Sequence, residues 1–134
     1  MRTREAWMGV VLVTAVTLLG GCRRGSLVDG KVIAGDVPFV MVVDRSDPRL
    51  SSEGVAGAVV TGRVDPGSPS SVSLGDATAD KKGGFSFRVR EQTALSKPIE
   101  FRASAEGFMQ TLGKISSPPP QNRAVLIIMK RTAP

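Results

Sequence analysis

The chain has 134 residues, a formal net charge of +6, and neither histidine nor tyrosine. This length suits one domain with a modest core, and a second domain is not expected within it. Without histidine the chain lacks the usual general base near neutral pH and a common metal ligand, which disfavours metal-dependent hydrolysis. Since Cys22 is the only cysteine, no disulfide within the chain can stabilise the domain.

The first 22 residues combine a basic start, a short apolar run and a terminal cysteine. The apolar run, residues 10–19, carries no charge and is too short to span a bilayer comfortably. It ends in Leu19-Gly20-Gly21-Cys22, which resembles the lipobox of bacterial lipoproteins. The resemblance implies that residues 1–21 are a signal peptide that is removed, and that Cys22 then carries a diacylglyceryl group and often a further acyl chain such as palmitate. An N-terminal anchor that is never cut, with Cys22 as an incidental thiol, is the alternative.

The predicted location of the protein follows from this anchor. Two or three acyl chains hold a small domain stably, because each buried methylene contributes about 0.8 kcal/mol. In lipoproteins of bacteria with two membranes, an aspartate after the cysteine favours the inner membrane, and Arg23 stands there instead. The resemblance thus implies an envelope protein that is lipid-anchored at the outer membrane and faces the periplasm. Residues 22–26 are a predicted tether, in which Arg23 and Arg24 meet anionic headgroups.

Residues 27–131 are predicted to form one all-β domain. Short runs rich in branched residues alternate with turns of glycine, proline and serine, which is typical of a β-sandwich. The predicted strands are residues 27–33, 57–65, 70–75, 85–90, 99–105, 108–115 and 124–129, with a further β-prone run at 37–43. The last strand is apolar without alternation, so it is predicted to lie centrally and to be covered on both faces.

Alternation along the strands predicts which face each side chain occupies. Phe85, Phe87 and Val89 share one side of their strand, and we expect them in the core rather than on an aromatic binding platform. Lys31 lies on the side of the first strand opposite the apolar residues, and Glu100 does so in the strand of residues 99–105. Both side chains are therefore predicted to face solvent.

Three segments of the predicted domain carry glycine and apolar or aromatic residues at characteristic spacings. They are Gly54-Val-Ala-Gly-Ala-Val-Val, Ala77-Thr-Ala-Asp-Lys-Lys-Gly-Gly-Phe-Ser-Phe and Phe101-Arg-Ala-Ser-Ala-Glu-Gly-Phe. Together with Val28-Asp-Gly-Lys-Val, they resemble motifs of the carboxypeptidase regulatory-like domain, a transthyretin-like (prealbumin-like) β-sandwich of exported bacterial proteins. The resemblance implies a single antiparallel seven-stranded sandwich over residues 27–131, with residues 34–53 as an insertion.

Few side chains offer catalytic or metal-binding chemistry. An intramolecular amide between Lys31 and Asn122, promoted by Glu100, is one alternative. It is disfavoured because Lys31 and Glu100 are both predicted to face solvent. Calcium at Asp76 and Asp80 is another, but a calcium loop needs more oxygen ligands at closer spacing. Removal of the signal peptide would leave no tryptophan or tyrosine, which disfavours the binding of sugars or single-stranded nucleic acid by aromatic stacking. The prediction is therefore no catalytic residue, no cofactor and no metal, with an enzyme as the less favoured alternative.

These observations predict a lipid-anchored, non-catalytic binding or structural module of the cell envelope. Its predicted partners are the membrane, through acyl chains on Cys22, and an envelope protein; nucleic acid and a small-molecule substrate are not expected. Strand addition at an exposed sheet edge is the expected mode of binding, with residues 37–43 and the loop Pro118-Pro119-Pro120 as candidate contacts. The alternative is a transthyretin-like lipoprotein component of an envelope assembly such as a secretion system.

Overall fold

The computed structural model describes residues 25–90 and 97–133. In this part the strands are, in chain order, β1 (Gly25–Ala34), β2 (Phe39–Asp44), β3 (Val59–Val64), β4 (Val72–Thr78), β5 (Gly84–Arg90), β6 (Ile99–Ser104), β7 (Thr111–Ile115) and β8 (Arg123–Met129). The all-β prediction is confirmed, but eight strands replace the predicted seven. The additional strand is β2, which lies within the predicted insertion. A short 3₁₀ helix at Pro48–Ser51 follows it.

The strands form two four-stranded sheets, as in a β-sandwich. Sheet A has the order β2-β8-β1-β5, and sheet B has the order β4-β3-β6-β7. All paired neighbours run antiparallel except β1 and β8, which are parallel. The prediction of a purely antiparallel sandwich is therefore wrong at this pair. β1 and β8 are separated by almost the whole domain, so no hairpin constrains their relative direction.

The core lies between the sheets and consists of the inward side chains of both. Phe101 of β6 is fully buried, and its ring centroid lies 6.3 Å from that of Phe85 and 6.1 Å from that of Phe87. The Phe85 and Phe101 rings meet edge to face, a geometry that aromatic pairs favour. The expected core positions of Phe85, Phe87 and Val89 are confirmed.

β8 is covered on both faces, as its apolar sequence predicts. It lies between β1 and β2 in sheet A. Val125 and Ile127 face the core between the sheets, whereas Leu126 packs on the outer face of sheet A with Ile33. Leu50, carried by the 3₁₀ helix, packs over this second apolar cluster.

Residues 45–53, which we call the strap, are held against the outer face of sheet A. Arg45 donates two hydrogen bonds to the Asp29 carboxylate, at 2.7 and 3.0 Å, and a third to the loop between β7 and β8. Lys31 Nζ donates to the carbonyl oxygen of Leu50 at 2.9 Å. Lys31 therefore lies on the face that alternation indicates, but it is half-buried under the strap rather than facing solvent. Periodicity identifies a face of a strand and not what covers that face.

The strand registers define two ends of the sandwich. β1 begins at Gly25, and the ends of β5 and β2 and the start of β8 lie at the same end of sheet A. We call this end the base; it also carries the loops 65–71 and 116–122. The opposite, distal end carries the turn at 79–83, where the carbonyl of Gly83 accepts from Val32.

Candidate functional site

Cys22, the predicted site of lipidation, lies outside the described residues, as do Arg23 and Arg24. The described chain begins at Gly25, which is already the first residue of β1. The last two residues of the predicted tether therefore belong to a strand. Within residues 25–90 and 97–133 no helix has the length and apolar character needed to cross a membrane.

β2 forms one edge of sheet A and is apolar along most of its length. Residues 39–43 read Phe-Val-Met-Val-Val, without charge or proline. Val40 faces the core and packs closely against Gly113 of β7. Phe39 points away from the core and is 51% exposed, and Val37 just before it is 66% exposed. An apolar edge strand with such exposed residues is a template for pairing with another chain.

A third exposed apolar side chain borders the start of β2. The backbone N–H of Met109 donates to the carbonyl oxygen of Lys130 at 2.7 Å, directly after the end of β8. Phe39 lies opposite Ile128, which precedes Lys130 by two residues. The Met109 side chain is 47% exposed. We call Val37, Phe39 and Met109 the β2 corner; exposed apolar side chains on adjoining segments of the chain indicate an interaction surface.

The other three sheet edges carry features that oppose pairing with a second chain. β4 has an irregular register beside Gly62, and there the backbone N–H of Gly75 donates to Ser73 Oγ. β7 has only five residues and includes Lys114. β5 carries the exposed side chain of Arg88. Bulges, short length and charge all oppose edge-to-edge association, so β2 is the described edge best suited to strand addition.

The triple-proline loop, the other predicted contact, lies at the base beside the end of β2. Residues 116–120 form one wall of a cleft of about 400 Å³, and Val42 and Ile115 form another. Arg123, which also lines the cleft, lies 3.5 Å from the Asp44 carboxylate. The structure thus brings the two predicted contact segments together, a proximity that the sequence did not indicate.

A second cleft, of about 450 Å³, opens at the distal end. Phe108 and Arg131 form one side of it, with the guanidinium carbon 4.9 Å from the ring centroid in a cation–π contact. Glu53 of the strap also lines the cleft, so charges of both signs face it. Sequence reasoning assigned no role to Arg131, because a single arginine near the C-terminus gives no signal without its spatial neighbours.

The residues of the alternative intramolecular amide are not brought together. Lys31 lies opposite Leu126, four residues beyond Asn122, which corresponds to about 13 Å of extended chain. Glu100 lies on β6, in the other sheet. The Lys31 ammonium donates to the strap instead. This geometry does not support amide formation.

Asp80 stabilises the turn between β4 and β5. Its Oδ1 accepts hydrogen bonds from the backbone N–H groups of Gly84 and Lys82, both at 2.9 Å. These bonds lower the pKa of Asp80, because they stabilise its charged form. In the part of the chain that the structure describes, no group of three acidic or cysteine side chains is placed to hold a metal ion.

No model of a known protein family matches the chain, and no curated protein matches it. Function must accordingly be inferred from three features: the lipobox-like N-terminus, the β-sandwich and the exposed β2 corner.

Proposed function

We propose that the protein is a lipid-anchored, non-catalytic module of the cell envelope that binds a partner protein through β2. The observation that carries the proposal is the apolar edge strand β2 with exposed Phe39 at its start, joined to an N-terminus that resembles a lipoprotein signal. A sheet edge binds an extended segment of another protein by main-chain hydrogen bonds, and nearby side chains select its sequence. Phe39 and Val37, both exposed, are the side chains that we expect to make that selection.

The anchor is tested by feeding radiolabelled palmitate to cells that express the full chain. We expect label and membrane association with the parent chain, and neither with Cys22→Ser, because Cys22 is the only thiol that can be acylated. Arg23→Asp is the matched control: it should keep the label and shift the protein from the outer to the inner membrane. Unchanged labelling of Cys22→Ser would contradict the anchor.

We further propose that the domain is of the carboxypeptidase regulatory-like, transthyretin-like kind. Apart from β2, the described strands number seven, as the resemblance implies. Asp80 of the second motif accepts the turn hydrogen bonds, and Gly107 of the third has a φ of 85° at a turn. A Cβ on Gly54 of the first motif would overlap the Lys82 carbonyl group. These motif residues therefore stand where the backbone needs their residue types, which supports the proposal.

Partner binding is tested with two matched charge variants. Phe39→Lys places an ammonium group at the β2 corner, and Val72→Lys places the same group at the start of edge strand β4, where Val72 is 39% exposed. Both positions are exposed, so both variants should fold, which circular dichroism checks. The full chain is crosslinked mildly in cells, extracted with detergent and analysed for bound proteins by mass spectrometry.

We expect Phe39→Lys to lose a partner that the parent chain and Val72→Lys both retain. The physical reason is that a charge at β2 must be desolvated when a strand is added there, whereas a charge at β4 stays in water. Retention of the partner by both variants, or its loss from both, would contradict the proposed surface.

A further inference from the structure

We propose that the anchored domain stands upright, with its base against the phospholipid surface and the β2 corner held away from it. This inference rests on the acylation of Cys22 proposed above. The surface assigned to lipid consists of the loops 65–71 and 116–122, together with Leu27, which is half-exposed at the start of β1. The occupant is an anionic phospholipid bilayer.

The short chain between Cys22 and the sandwich brings the base to the membrane. Three residue steps separate Cys22 from Gly25, so their Cα atoms lie at most about 11 Å apart. From Gly25, β1 runs to Ala34 at the distal end, about 30 Å at 3.3 Å per residue. Acyl chains on Cys22 therefore keep the base near the headgroups, and the distal end extends about 30 Å farther from the anchor.

The distribution of ion pairs suits the base to an anionic surface. Near the base, three carboxylates form ion pairs, Asp29 with Arg45 at 2.7 Å, Asp44 with Arg123 at 3.5 Å and Asp65 with Lys97 at 3.9 Å, whereas Glu100 of β6 forms none with a described residue. Five carboxylates toward the distal end have no ion pair with any described residue: Asp36, Glu53, Asp76, Asp80 and Glu106. Anionic headgroups repel an unpaired carboxylate more strongly than a paired one. The carboxylates thus favour the base as the side that faces lipid. Exposed Lys81 and Lys82 in the distal turn act in the opposite sense, so the short chain after Cys22 is the main ground for the orientation.

The β2 corner is the alternative membrane-facing surface, because its exposed apolar side chains can insert into lipid. Phe39 lies opposite Ile128, and Ile128 lies opposite Ile33 of β1. Ile33 is eight residues beyond Gly25, or about 26 Å along the strand. The domain would have to lie on its side to bring Phe39 to the lipid. That orientation would move the distal carboxylates toward the headgroups and cover the edge that the partner protein needs.

Single-tryptophan reporters measure which surface meets the lipid. Trp7 is the only tryptophan of the chain, so the full chain with Trp7→Phe is a silent background. The reporters, all at exposed positions, are Pro69→Trp and Gln121→Trp at the base, Phe39→Trp at the β2 corner and Lys81→Trp at the distal end. Each acylated chain is extracted from membranes and reconstituted into vesicles of phosphatidylglycerol and phosphatidylethanolamine. Fluorescence is compared between vesicles with and without bromine on the acyl chains near the headgroup.

We expect brominated lipid to quench both base reporters. The fluorescence of Phe39→Trp and Lys81→Trp should be the same with brominated and unbrominated lipid. Quenching of Phe39→Trp as strong as that of the base reporters, or quenching of no reporter, overturns the upright orientation. Failure of the proposed anchor is seen separately, as an intact mass without acyl groups. Circular dichroism that matches the parent chain shows that a reporter variant folds, and the second base reporter replaces one that does not.

Discussion

Burial determines how much each phenylalanine contributes to the stability of this domain. Phe101 is fully buried against Phe85 and Phe87, whereas Phe39 is half-exposed. We expect Phe101→Ala to lower the free energy of unfolding by about 3–5 kcal/mol, because the core loses contacts and keeps a cavity. Phe39→Ala should lower it by less than about 1 kcal/mol. Urea unfolding followed by circular dichroism measures both, and equal losses would contradict the assigned core.

Two carboxylates link the stability of the fold to acidic pH. The Arg49 side chain, and then its backbone N–H, hydrogen-bond to Asp47 and lower its pKa from 3.8 to about 2. Backbone N–H groups lower the pKa of Asp80. A group whose pKa is lower in the folded state stabilises the fold above its unfolded-state pKa. That contribution is lost as the pH falls through the folded-state value.

We therefore expect the free energy of unfolding to fall as the pH decreases from about 3.8 to about 2. The double variant Asp47→Asn and Asp80→Asn should lose less stability over this interval, because its amides do not titrate. One amide oxygen at each position can still accept the backbone N–H bonds, whereas the bond from Arg49 Nη2 to Asp47 Oδ2 is lost at every pH. Asp76→Asn is the control, since this carboxylate has no hydrogen-bond partner among the described residues, and it should behave as the parent chain. Thermal unfolding at constant ionic strength measures the three proteins. Identical pH profiles for the parent chain and the double variant would contradict the assignment.

The strap distinguishes the outer face of sheet A from that of sheet B. It covers an apolar cluster with Leu50, and it is attached by the Arg45–Asp29 ion pair and the Lys31 hydrogen bond. The ion pair is partly exposed, so it contributes at most about 1 kcal/mol. Apolar packing under Leu50 and the hydrogen bond from half-buried Lys31 therefore contribute most of the attachment. In sequence this segment is a loop of serine, proline and charged residues, and its single leucine gives little indication of a cover.

We expect Leu50→Ala to lower the free energy of unfolding by about 1–2 kcal/mol, less than a fully buried leucine would. Amide hydrogen exchange should quicken in β2 and β8, because the apolar cluster beneath the strap is opened. Leu112→Ala on β7 is the matched control; Leu112 is 52% exposed, and its loss should change neither measurement. Equal effects of the two substitutions would show that the strap does not pack on sheet A.

At the scale of the whole molecule, β8 makes the domain depend on its C-terminal segment. β8 pairs with β1 on one side and with β2 on the other. We expect truncation after Asn122 to abolish cooperative unfolding, because it removes the central strand of sheet A. Truncation after Arg131 keeps the hydrogen bond from Met109 to Lys130 and the contact of Arg131 with Phe108. Among the described residues it removes the two hydrogen bonds from Thr132 to the Gly107 carbonyl oxygen, at a cost of about 1 kcal/mol. Urea unfolding checks both, and a cooperative transition of the chain that ends at Asn122 would contradict this role of β8.

Local patterning predicted the positions of the strands and many of their faces, because alternation reflects the environment on each side of a strand. It placed Phe85 and Phe87 in the core and β8 at the centre of a sheet. It was wrong about the exposure of Lys31, since the strap that covers this residue lies about 20 residues farther along the chain. For the candidate site, it indicated residues 37–43 but not Met109, which borders the start of β2 only in the tertiary structure. The triple-proline loop, the other predicted contact, lies instead at the base, beside Val42.

The sequence by itself determined the all-β class, the apolar central strand and the expectation of a lipid anchor, because each of these depends on residues close together in the chain. The tertiary structure decided that the β-prone run at 37–43 joins sheet A as an eighth strand at its edge, and that β1 and β8 pair in parallel. It also placed the start of β1 at the end opposite the β2 corner. These features depend on contacts between residues far apart in sequence, whose free energies no local pattern of residues encodes.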